Sequence, residues 1–149
     1  MENKRIICTN PDGSVAIIIP AKNTKLSIEE IARKDAPAGS STLIVEKEEI
    51  PSDRSYRNAW NFDGVSKKIG HDMAKAKEIH KEKLRALRAP KLAALDVEYQ
   101  KADEENKPQL KAQIAAKKKK LRDVTASPAI EAAQTIEELK VAGLSDLEV

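Results

Sequence analysis

Two groups of side chains have the types and spacing for binding chemistry. The first is Arg54, Tyr56, Arg57, Trp60 and Phe62, within Pro51-Ser-Asp-Arg-Ser-Tyr-Arg-Asn-Ala-Trp60-Asn-Phe-Asp-Gly64. It holds three of the four aromatic residues of the chain. Tyr56 and Trp60 stand four apart, so they share a face whether the segment is helical or extended. Such a cluster either plugs a small sheet domain onto a helical part or anchors a partner protein as an interface hot spot. Its position, where the sequence changes from short strands to charged helix, favours the plug. Arg54 and Arg57 have no assigned role on either reading.

The second group is Lys77, Lys81 and Arg88. Residues 67–91 carry Lys67, Lys68, Lys75, Lys77, Lys81, Lys83, Arg85, Arg88 and Lys91 against only Asp72, Glu78 and Glu82. The rest of the chain carries a slight acidic excess, so the whole positive excess lies in this segment. Lys77, Lys81 and Arg88 fall near one helical face and could follow a phosphate backbone. No aromatic residue is interleaved to stack on bases. Binding there would be weak, non-specific and salt-sensitive; an acidic groove on a partner protein is the equal alternative.

Other chemistry finds little support. Cys8 is the only cysteine, which excludes an internal disulfide, and its apolar setting reads as a buried inert thiol. His71 and His80 lack the Cys, His or carboxylate neighbours that a metal site needs. There is no nucleophile elbow and no phosphate-cradling glycine loop. The expectation is a non-enzymatic protein with no cofactor and no metal. Lys117-Lys-Lys-Lys120 spans most of a helix circumference and reads as a charge-laced hairpin facing Asp96, Glu98, Asp103 and Glu104. The start Met-Glu-Asn-Lys-Arg has no signal-peptide pattern, and Ile17–Ile19 is too short to span a membrane. No membrane partner is expected.

These side chains must be carried by an α+β scaffold. Lys4–Thr9 and Ser14–Ala21 flank Asn10-Pro-Asp-Gly13, a hairpin turn with β-branched neighbours. The isoleucines are apolar toward both faces, which predicts a helix on one side and a partner on the other. Ser27-Ile-Glu-Glu30 is a capping box opening a helix to about Lys34, with Leu26 and Ile31 as a hydrophobic staple. Thr42–Glu46 reads as a third strand, with Leu43 and Val45 on one face and Ile44 on the other. Residues 1–66 therefore form a small ββαβ head, and 67–149 a helical hairpin with short C-terminal helices. In the helical part Asp72 is the expected N-cap, Pro90 is expected to kink or split the first arm, and Pro108 opens the second. Ser127-Pro128 starts a short helix; Thr135-Ile-Glu-Glu138 is a second capping box, closed by Gly143, before a frayed acidic tail. Open strand edges of the head can accept a partner strand.

Three stretches carry a resemblance. Pro51-Ser-Asp-Arg-Ser-Tyr-Arg-Asn-Ala-Trp60 follows an isoleucine-rich hairpin. Lys75-Ala-Lys-Glu-Ile-His-Lys-Glu-Lys-Leu-Arg85 opens the helical part. Leu121-Arg-Asp-Val, Pro128-Ala-Ile-Glu-Ala-Ala and Ile136-Glu-Glu-Leu139 close it. The chain resembles small virion and tail fibre assembly proteins of tailed bacteriophages and prophages, over most of Lys4 to Leu139. The resemblance implies a structural or assembly role through protein–protein contacts, in the host cytoplasm during assembly or in the virion. Its partners would be other phage virion or tail proteins or further copies of the chain. A nucleic-acid-associated phage protein using the basic helix 67–91, with weak nucleic-acid contact, is the alternative.

Overall fold

The turn that begins the fold is built by its own residues. In the computed structural model, which describes residues 1–149, β1 (Lys4–Thr9) and β2 (Val15–Ile18) are antiparallel. Between them the Gly13 N–H donates to the Asn10 carbonyl at 2.9 Å, and the Ser14 N–H to Asp12 Oδ1 at 2.9 Å. Gly13 sits at φ +81°, a region that a Cβ would make costly. β3 (Ser41–Glu46) pairs with the other edge of β1, giving the order β2-β1-β3. α1 (Ile28–Asp35) begins with the expected reciprocal cap. Ser27 Oγ accepts from the Glu30 N–H at 3.2 Å, and the Glu30 carboxylate accepts from the Ser27 N–H at 2.7 Å. Those bonds hold the Glu30 carboxyl below its usual range.

Alternation along β1 sends its side chains to two cores. On one face Ile6 and Cys8 pack with Ile28, Ile31 and Ala32 of α1, joined by Leu26, Ala16, Ile18 and Ile44. Burial pushes the Cys8 thiol up, so it stays protonated. On the other face Ile7, Val45, Ile50 and Trp60 form a second cluster, with Val15, Ile17, Leu43, Phe62 and Ile69 against it.

The cover over this second face is not a partner, as the sequence predicted, but a hairpin absent from the expected ββαβ head. β4 (Trp60–Asp63) pairs antiparallel with β5 (Lys68–His71), and Trp60, Phe62 and Ile69 supply the apolar side. Its signal is Asp63-Gly64 after the alternating Trp60 and Phe62. Asp63 shapes the turn by accepting from the N–H groups of Val65 (2.9 Å) and Ser66 (3.3 Å). The first compact unit is accordingly Met1–Asp72 rather than 1–66, and the second is Met73–Val149.

In the second unit α2 (Met73–Glu104) and α3 (Pro108–Asp123) form the predicted hairpin, with Pro108 in the first turn of α3. Lys118 Nζ meets Asp96 at 2.5 Å and Lys111 Nζ meets Asp103 at 2.5 Å, a pairing order that only antiparallel helices give. Lys111 and Lys118 also lie 5.4 and 5.1 Å from the centre of the Tyr99 ring, within cation–π range. α4 (Pro128–Ala132) and α5 (Ile136–Val141) follow. Leu84, Leu121, Val124, Ile130 and Leu139 are fully buried. Gly143, at φ +77°, has Leu84 and Val124 within 3.4 Å of where a Cβ would stand.

Three local expectations need correction. Pro90 does not split α2, which runs through it as one helix. Pro90 is solvent-exposed, and the buried Leu84 and Leu95 hold the helix on either side of it. The cap of α5 is half of a capping box. Thr135 Oγ1 accepts from the Glu138 N–H at 3.2 Å, but the Glu138 carboxylate accepts from Gln134 at 2.7 Å, one residue before the box position. The C-terminal segment is not frayed: Leu144–Leu147 is a 3₁₀ turn with Leu147 buried.

Trp60 is 6% exposed at the centre of the second cluster. Trp60→Ala is expected to destabilise the first unit by about 3–5 kcal/mol, measured by urea unfolding followed by circular dichroism. Pro90→Ala restores the missing main-chain donor and should stabilise the second unit, by up to about 3 kcal/mol. A raised thermal midpoint checks this.

Candidate functional site

Arg54, Arg57 and Trp60 come together beside β2. A tight main-chain turn sets them there: the Arg57 N–H donates to the Arg54 carbonyl at 3.1 Å, and the Ala59 N–H to the Tyr56 carbonyl at 2.9 Å. The short 3₁₀ turn Arg57–Ala59 then leads into β4. Asp53 starts the arrangement by accepting from the Ser55 N–H at 2.9 Å. Tyr56, Ala59 and Trp60 point inward and are buried, while Arg54, Arg57 and Asn58 are exposed. Phe62, in the next strand, packs on the Trp60 cluster. Trp60 and Phe62 therefore work inside the first unit, Tyr56 is buried, and the arginines are exposed.

Arg54, Arg57, Asn58 and Trp60 line a recess of about 260 Å³ whose opposite wall is Val15, Ala16 and Ile17 of β2. No carboxylate contributes to this lining. Arg54 also borders a second depression, lined by Glu48 and Glu49 together with Arg5 and Lys47. Neither guanidinium makes an ion pair or side-chain hydrogen bond. The indole Nε1–H of Trp60 is buried without an acceptor. The participation of β2 was hidden in the sequence, since some forty residues separate Val15 from Arg54 and only the sheet brings them together.

The basic face predicted on α2 has a different arrangement. Lys77 Nζ donates to the Glu131 carbonyl at 2.7 Å, near the C-terminus of α4. Lys81 Nζ lies 3.1 Å from the carboxylates of both Glu78 and Glu131. Arg88 reaches the carbonyls of Leu121 (3.3 Å) and Arg122 (2.6 Å) in the last turn of α3. His80, between them on the same face and 3% exposed, bonds through Nε2 to the Ala142 carbonyl at 2.7 Å, at the end of α5. Helix C-termini leave carbonyls unpaired and carry partial negative charge, so donors there satisfy both needs. Lys77, His80 and Arg88 thus serve three different helix ends. The spacing of these donors, three and then eight residues, places them within about one and two helical turns on one face, and is the signal that a sequence reading could have used.

The remaining titratable residues do not converge: no group of three or more His, Cys, Asp or Glu side chains is placed to hold a metal ion. No helix is long and apolar enough to cross a membrane. No family model, curated protein or solved structure matches the chain.

The Lys81–Glu131 contact gives a pH dependence. The hydrogen bond from Lys81, and then its charge, hold the Glu131 carboxyl below its ordinary range. A carboxylate lowered on folding stabilises fully above its unfolded pKa and loses that contribution as pH falls through the folded value. The loss should therefore begin below about pH 4.3, the ordinary glutamate value. Glu131→Gln should flatten this part of the curve of thermal midpoint against pH; identical acid limbs for the two proteins would contradict it.

Proposed function

We propose that this chain is a non-enzymatic structural or tail fibre assembly protein of a tailed bacteriophage, acting by protein–protein contact. It meets other virion or tail proteins in the host cytoplasm during assembly, and is carried into the virion if it is a component rather than a chaperone. The resemblance of Asp53–Trp60, of the opening of the helical part and of its closing segments supports this class. One observation supports contact as the mode of action: the two unpaired arginines, Arg54 and Arg57, stand on a rigid turn beside a sheet edge. A guanidinium on a fixed turn matches carboxylates in two-pronged geometry, which favours a specific protein surface.

The alternative, nucleic-acid contact through Lys77, Lys81 and Arg88, has less support because those three side chains make internal contacts on the helical unit. Two measurements separate the readings. Mass spectrometry of purified particles, with fibre morphology in a deletion strain, tests the first; absence from particles together with normal fibres overturns it. Retention on immobilised duplex DNA that disappears between about 50 and 200 mM salt would favour the second.

A further inference from the structure

We propose that the recess between β2 and Arg54–Trp60 receives an extended, acidic segment of a partner protein, which adds as a strand to β2 and seats a carboxylate on Arg54 and Arg57. This deepens the contact reading above and rests on it.

The strand part follows from the ladder. β2 is an edge strand, bonded only to β1. The Asn10 N–H donates to the Ser14 carbonyl at 2.9 Å, so residues 10 and 14 form a hydrogen-bonded pair. Bonded and non-bonded pairs alternate in an antiparallel ladder. With Cys8 opposite Ala16 and Ile7 opposite Ile17, Ala16 turns its main-chain groups toward β1, whereas Val15 and Ile17 turn theirs away. No other main-chain group meets the N–H or C=O of Val15 and Ile17. These are the β2 residues that wall the recess, together with Ala16. An exposed edge of this kind is a template for an added strand.

The acidic part follows from charge. The recess offers two guanidinium groups and the Asn58 amide, with no carboxylate of its own lining. Unpaired donors gathered at a partly enclosed surface favour an anion over any neutral or cationic side chain. The second depression that Arg54 borders mixes Glu48 and Glu49 with Arg5 and Lys47, so the β2 recess is the one of the two with no competing carboxylate.

The test uses the full chain and an array of short peptides with flanking positions randomised, carrying Glu at the centre in one set and Gln in the other. Expected are binders in the Glu set, at least about tenfold weaker binding of their Gln counterparts, a loss of that order for a charge-assisted contact, and a similar loss on Arg54→Gln/Arg57→Gln. Both arginines are exposed, so the variant should keep the wild-type circular dichroism spectrum. Methylating alternate backbone nitrogens of a binding peptide should abolish binding in one register and spare it in the other. Equal binding of the Glu and Gln sets, no binder in either, or indifference to the arginine substitutions overturns the proposal. Indifference to backbone methylation, with inorganic phosphate displacing the peptide, also overturns it, leaving a simple anion subsite. A protein found in particles whose incorporation survives Arg54→Gln/Arg57→Gln would sink this inference while the assembly reading stands.

Discussion

A strand that is apolar on both faces needs two covers, and the first unit is organised around that constraint. β1 sends Ile6 and Cys8 one way and Ile7 the other, so neither face can be left to water. α1 closes one side with Ile28, Ile31 and Ala32. The β4–β5 hairpin closes the other with Trp60, Phe62 and Ile69. Three layers are formed from about seventy residues, and a single tryptophan supplies the largest side chain of the outer core.

The second unit answers a different need. Several short helices end close together, and each end leaves carbonyls without a helical partner. α2 carries donors along one face that meet them: Lys77 at α4, His80 at α5 and Arg88 at α3. A cation-rich helix read in isolation looks like a surface for phosphates. Packed against helix termini, the same cations become structural. Lys118, Lys111 and Tyr99 extend the pattern along the hairpin, where charge and aromatic surface meet beside the buried Leu95, Ala102, Ile114 and Leu121.

The two tasks of residues 53–60 explain their unusual composition. Trp60 turns inward to seal the sheet, Tyr56 and Ala59 are buried, and the tight turn leaves Arg54, Arg57 and Asn58 outside. The burial that stabilises the unit also sets the main-chain turn from which the arginines project. Exposed cations and core share one short segment.

Much of the scaffold was legible because it is local. Pro11-Asp12-Gly13 specifies its turn, Ser27 and Glu30 cap α1 reciprocally, and Pro108 and Pro128 open helices; each is decided by residues within a few positions of one another. The alternation of Leu43, Ile44 and Val45 likewise gave both faces of β3. The arginine pair and Trp60 could be singled out, but not their surroundings. That β2 would wall the arginine recess, that Trp60 would cover Ile7, and that Lys77, Lys81 and Arg88 would turn to internal partners all depend on contacts between distant segments. Pro90 is the same lesson inside a helix, where flanking burial at Leu84 and Leu95 overrides a local breaker. The sequence by itself determined the elements, their caps and the inventory of charged and aromatic groups. Only the tertiary structure decided which charges are neutralised internally and which face outward, because that depends on which carbonyl ends, carboxylates and strand edges folding brings within hydrogen-bond reach.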